Sequence, residues 1–149
     1  MSQENVSQEN VEIVRGQLEA FNRGDFSAAI EALDEDVEWQ VPHIATLDAP
    51  ASGLLRGRRE MIENFGQWLE AWDRFAFEAT EIRAGRGADV FMAGIQTGRG
   101  RTSGLDVTVP TFHVLTIREG KIARMRTFRE RADALEAAGL SERAARADS

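Results

Sequence analysis

The chain contains no cysteine. That removes a disulfide framework and every thiolate metal site at once. Histidine is nearly as scarce: His43 and His113 are the only two and fall on separate elements, too few for a zinc set without thiolates. Positive charge is in deficit. With 18 Lys and Arg against 25 Asp and Glu, the formal net charge is -7. The arginines that gather over residues 118–131 are interrupted by Glu119 and Glu130, and alternate as on one face of a strand rather than along a phosphate track. A nucleic-acid partner needs clustered cations and is not expected. No apolar run approaches bilayer-spanning length, and "MSQENVSQEN" is polar and acidic rather than a secretion signal, so the expectation is a cytoplasmic protein without a membrane partner. A Pro- or Ser-rich linker is also missing, which makes 1–149 one domain, with 1–7 and the polar stretch 141–149 outside its packed body.

What is present suits a packed domain. Of 149 residues, 42% are hydrophobic and 29% charged, enough apolar surface for one substantial core. "SQENV" occurs twice in tandem, far below the period of a solenoid unit, and reads as an extended helix start with Ser7 as N-cap. Val11, Val14, Leu18 and Phe21 then recur at helical spacing up to Gly24, and Asp25 can cap a short second helix carrying Phe26, Ala29, Ile30 and Leu33. The period changes to two at Val37, Trp39, Val41 and His43, which predicts a strand. Pro50, Gly53 and Gly57 punctuate a loop, after which Met61, Ile62, Phe65, Trp68, Leu69 and Trp72 form one broad helical stripe over 58–72. Four strands follow, over 75–83, 90–97, 105–117 and 121–129, joined by glycine-bearing turns such as "REGK". A last helix, 132–138, ends on Gly139. The glycine-rich "TGRGRTSG" lacks phosphate-loop spacing and reads as a hairpin turn, and the acidic run Asp34, Glu35, Asp36 and Glu38 as a solvated helix–strand junction. This order predicts an α+β fold: a curved antiparallel sheet with three helices packed over its concave face and a cavity at the open end.

The stretches "AFNRGDFSAAIEALDEDVEWQVP", "GRREMIENFGQWLEAW" and "FHVLTIREGKIARMRTF" resemble the nuclear-transport-factor-2-like superfamily, nearest to its SnoaL-like branch with the ketosteroid-isomerase-like proteins. The resemblance spans roughly residues 11–139 and implies a cone-shaped α+β barrel, a homodimer, and an apolar pocket entered from the wide end. It says little about reaction, since this fold hosts isomerases, cyclases, hydrolases and plain binding domains. The isomerase's base stands just before the proline resembling Pro42, and here that residue is Val41. Its two oxyanion donors align with Gln17 and Phe112. Neither valine nor phenylalanine can move a proton, so the isomerase mechanism does not carry over. Of the carboxylates that limonene epoxide hydrolases need, only Asp106 falls near the expected strand, and Thr127 stands where the last aspartate would be.

Candidate residues follow from facing. With the last hairpin turning at Glu119–Gly120, regular alternation sets Val114 opposite Met125 and Phe112 opposite Thr127, on the pocket side. His113, Leu115, Arg124, Arg126 and Phe128 then face outward, as a dimer surface, unless a bulge reverses the strand and brings His113 in. His43 is the first acid/base candidate, near the pocket rim beside Trp39 and Val41, or else a solvated turn histidine; Asp106 is the second. Gln17 and Gln96 are candidate amides for orienting a carbonyl or hydroxyl. The resemblance to the isomerase sets Trp39, Val41, Phe65, Phe112 and Met125 at pocket-lining positions, and with Met92 and Val114 they are the candidate ligand contacts. Three functions compete: a cofactor-free isomerase, cyclase or hydratase acting by proton transfer on a small hydrophobic substrate; a non-catalytic binder of such a molecule; and a dimerisation module. No cofactor or metal is expected.

Overall fold

A computed structural model describes residues 3–44 and 51–141; the side chains of 3–5, 42–44 and 51–52 lie outside what is described. The chain runs α1 (Gln3–Asn22), α2 (Phe26–Glu31), β1 (Leu33–Ile44), β2 (Ala51–Arg56), α3 (Gly57–Glu70), β3 (Trp72–Ala84), β4 (Asp89–Gly100), β5 (Asp106–Arg118), β6 (Lys121–Phe128) and α4 (Arg131–Ala137). From Gln3 onward the two "SQENV" copies lie within α1, so Ser7 is an interior helical residue and not its cap. Gly24 ends this segment with φ +82, a conformation costly for other residues. Asp25 then caps α2, its carboxylate accepting from the Ala28 amide at 3.1 Å.

Six strands form one curved, unclosed sheet in the order β2-β1-β6-β5-β4-β3. The β1–β6 pairing is parallel and the others antiparallel, so the sheet is mixed at one seam. The expected loop before α3 contains β2, an edge strand paired to β1 through Trp39↔Leu55 and Gln40↔Leu54. Across the sheet, α1, α2 and α3 cover one face. Val11, Val14 and Met61 from these helices pack there on Leu33, Val37, Val90, Met92, Leu115, Ile117 and Ile122. The fourth helix packs on the opposite face, where Ala134, Leu135 and Ala138 meet Phe91, Ala93 and Val114. Burying Phe91 or Leu115 is worth roughly 1.5–3 kcal/mol each, so both faces of β4–β5 contribute to stability.

The β5–β6 hairpin decides which residues face the helices. Glu119 (φ 51) and Gly120 (φ 76) form a tight turn with both central residues in the left-handed region, the twist that suits a two-residue hairpin. Ile117 pairs with Ile122, but Thr116 pairs with Arg124, which leaves Ala123 as one extra residue in β6. Beyond this bulge Leu115 lies opposite Met125 and His113 opposite Thr127. The one-residue shift exchanges the faces of β5 relative to regular alternation. Phe112 and Val114 therefore face α4, and His113 and Leu115 face inward.

Candidate functional site

Between α1, α2, α3 and the β1–β6 seam lies a cavity of about 330 Å³, at the low end of small-molecule sites. The helical stripes supply most of its wall. Gln17 and Phe21 come from α1, Phe26, Ala29 and Ile30 from α2, and Met61, Ile62, Phe65, Gly66 and Leu69 from α3, while Leu33, Trp39 and Met125 form the sheet side. Phe21 holds the aromatic part together, edge-on to Phe26 at 5.5 Å and to Phe65 at 5.3 Å. Phe26 and Ile62 remain 49% and 47% exposed, unusually high for large apolar side chains, and mark the rim. Among the described lining residues, Gln17 is the one with a polar side chain besides the indole of Trp39. Arg58 ties α3 to the opposite wall, its Nε donating to the Leu33 carbonyl at 2.9 Å.

Beside the cavity, on the same inward face of the sheet, runs a buried polar chain. The Trp39 indole N–H donates to Thr127 Oγ1 at 2.8 Å, Thr127 Oγ1 lies 3.0 Å from His113 Nδ1, and His113 Nε2 lies 3.0 Å from Thr111 Oγ1. Adjacent strands β1, β6 and β5 supply these groups, which the bulge at Ala123 brings to one face. The Phe77 ring packs edge-on against His113 at 5.7 Å and occupies the space a side chain at Gly94 would need. His113 is 6% exposed, and burial pushes its pKa down to about 4. At neutral pH it is an uncharged imidazole that exchanges hydrogen bonds with two hydroxyls, and it does not reach the cavity.

Four residues expected from sequence meet at the cavity: Gln17, Trp39, Phe65 and Met125. Met92 faces the same side but is core, paired across to His113. Val41 is buried beside a separate groove of about 400 Å³ with Glu38, Gln40 and Arg124. Gln96 borders a crevice of about 10 Å³ with Trp72 and Phe75. Phe112 and Val114 are corrected to the α4 face, and Asp106 is exposed at the start of β5, opposite Arg99 and remote from the cavity wall. The backbone of His43 belongs to β1, but its side chain lies outside the described residues. Sequence reasoning had passed over Phe21, Phe26, Ile30 and Leu69, although their helical spacing put them on the faces that converge here. The outward assignment of His113 is likewise corrected. Among the described residues no group of three or more His, Asp or Glu is placed to hold a metal ion, and no helix is long and apolar enough to cross a membrane.

A SnoaL-like domain model matches residues 14–125, well over half of the chain. The chain belongs to the SnoaL-like family. Solved structures share the fold of this SnoaL-like domain at low identity. An NTF2-like protein from Burkholderia xenovorans LB400 is 26% identical, with 88% of this chain and 95% of that one covered and a TM-score of 0.67. TerC, co-crystallised with polyporic acid, is 20% identical over 82% of this chain and 92% of its own, with a TM-score of 0.70. A limonene-epoxide-hydrolase-like epoxide hydrolase from M. tuberculosis is 19% identical over 88% and 90%, with a TM-score of 0.63. No curated protein matches the sequence itself.

Proposed function

We propose that this SnoaL-like domain binds a small hydrophobic molecule in the cavity between its three inner helices and the β1–β6 seam. The observation that carries the reading is the cavity wall, apolar at every described lining position but Gln17. Such a wall gains roughly 2.5 kcal/mol for each 100 Å² of apolar ligand surface it takes from water. Its described residues offer a charged ligand no counter-charge, so against them a carboxylate or phosphate would be desolvated without compensation. That TerC was crystallised with polyporic acid supports a small organic ligand for this fold. Binding is preferred to catalysis because none of the described lining side chains is an acid or a base. Proton transfer of the isomerase, cyclase or hydratase type would need a group from outside the described side chains, and His43 is the residue to test. We place a homodimer contact on the outer sheet face beyond α4, where Ile95 is an exposed large apolar residue paired with Pro110. Sedimentation equilibrium checks that contact.

The deciding experiment is a thermal-shift screen of uncharged polycyclic, terpenoid and polyketide-like compounds. A ligand that binds only the folded state at 100 times its Kd adds about 2.7 kcal/mol to stability. Hits should disappear with Phe65→Ala and persist with Asp106→Asn. Hits that survive Phe65→Ala would place the ligand elsewhere. Chemical conversion of a hit by wild type but not by His43→Ala would replace the binding reading with a catalytic one.

A further inference from the structure

The buried chain beside the cavity has no part in simple apolar binding, yet it ends on a residue that lines the cavity. Trp39 contributes its ring to the wall, while its only hydrogen-bonding group, the indole N–H, is taken by Thr127. Thr127 and His113 do not line the cavity themselves. One direction of hydrogen bonding lets each group pass a bond to the next: Trp39 N–H to Thr127, Thr127 O–H to His113 Nδ1, and His113 Nε2–H to Thr111. The indole is thus fixed by groups on two neighbouring strands, and what it presents to a ligand is carbon.

We propose that Thr127, backed by His113, is a positioning residue that sets the ligand class: by holding the Trp39 donor it leaves Gln17 as the one hydrogen-bonding side chain that the described residues offer in the cavity wall, so the site selects uncharged, largely apolar molecules with a single carbonyl or hydroxyl group. The inference rests on the binding reading above and adds to it both a specificity and the residue responsible.

The test uses three probes of one shape, 2-acetylnaphthalene, 2-ethylnaphthalene and 2-naphthoate, with Kd measured by equilibrium dialysis on the full chain. Wild type should prefer the ketone to the ethyl compound about fivefold through Gln17, and bind the carboxylate at least about tenfold more weakly than the ketone. Gln17→Leu should abolish the ketone preference. Thr127→Val leaves the indole N–H without its acceptor and free to turn toward the ligand, and should raise the ketone-to-ethyl ratio about fivefold further. Thr127→Ser should keep the wild-type ratio, and Thr127→Ala takes the place of the valine variant if that fails to fold. The Trp39 Nε1 proton, followed by NMR, should shift and exchange faster with solvent in Thr127→Val but not in Thr127→Ser. Equal weakening of ketone and ethyl compound in Thr127→Val would mean a merely structural role and would overturn the proposal, as would an unchanged Nε1 signal. If none of the probes binds wild type while the Nε1 signal still follows Thr127, the binding reading itself fails, and the proposal with it.

Discussion

Acidification should reveal how much stability depends on an uncharged His113. Its folded pKa is about 4 because burial penalises the cation, whereas an unfolded chain protonates it near the ordinary value of 6.5. The folded pKa is the depressed one, so below 6.5 the unfolded state binds the proton first and is favoured. The neutral imidazole's contribution is therefore complete above about pH 6.5, falls as the pH drops toward 4, and is gone below it. Each pKa unit is worth about 1.36 kcal/mol, so linkage gives a loss of about 2 kcal/mol by pH 5 and about 3 kcal/mol by pH 4.

Carboxylates titrate in the same range. Asp34 has a lowered pKa because it accepts from the Asp36 amide, with Arg118 nearby, and it also loses stabilisation in acid. A difference measurement removes this background. Urea unfolding of wild type and His113→Gln at pH 7, 6 and 5 gives two stability curves that share every carboxylate and His43. The variant will be less stable at pH 7, since a flexible amide does not refill an imidazole site under Phe77. The gap should then narrow by about 2 kcal/mol between pH 7 and pH 5. Curves that stay parallel within about 0.5 kcal/mol would refute the assignment of His113 as a buried neutral base, as would imidazole NMR signals from His113 that titrate near pH 6.5.

Three further substitutions probe the frame around the site. Glu119→Asn keeps the left-handed turn at φ 51 but replaces a residue that tolerates it poorly, and should raise stability by about 0.5–1 kcal/mol in chemical denaturation. Gly94→Ala would put a methyl group 2.4 Å from the Phe77 ring and 2.7 Å from the Glu78 carbonyl, and should cost about 1–3 kcal/mol with a lower Tm. Leu135→Ala empties a fully buried position between α4 and the sheet and should cost about 2–5 kcal/mol, while hydrogen exchange of α1 amides is affected less than that of α4.

The helices were legible because their apolar residues recur at three and four positions, a pattern with strong contrast against Arg, Glu and Asn between them. The last hairpin was legible from Glu119–Gly120. The facing of β5 was not. "FHVLTI" is apolar on both faces because both are covered, by α4 on one side and by the inner helices on the other, and alternation without contrast carries no register. A clue was present in β6. Ile122 and Met125 are both inward yet three apart, a spacing that an unbroken strand cannot give. Reading that break as a bulge would have turned His113 inward and joined it to Thr127. The edge strand β2 was hidden by Gly53, which weakens strand character and looks like loop punctuation.

The arrangement also separates stability from the proposed binding more than a small domain usually permits. At β4–β5 the sheet is packed on both faces, and the largest fully buried side chains include Phe91, Leu115, Val90 and Val114. At the β1–β6 end the helices stand off the sheet, and of the described residues lining the cavity only Ala29, Leu33 and Met61 are themselves buried. Phe21, Ile30, Phe65 and Leu69 are half-buried against empty space, so changing them alters the shape of the cavity more than the packing of the core. Trp39 is the exception. It lines the cavity and is bonded through Thr127 to a histidine in the interior, so it is the point at which a change of ligand preference and a change of core stability are coupled. On the proposed function, cavity-wall substitutions on the helices are therefore the ones free to vary with ligand, while substitutions at Trp39, Thr127 and His113 are coupled and not additive.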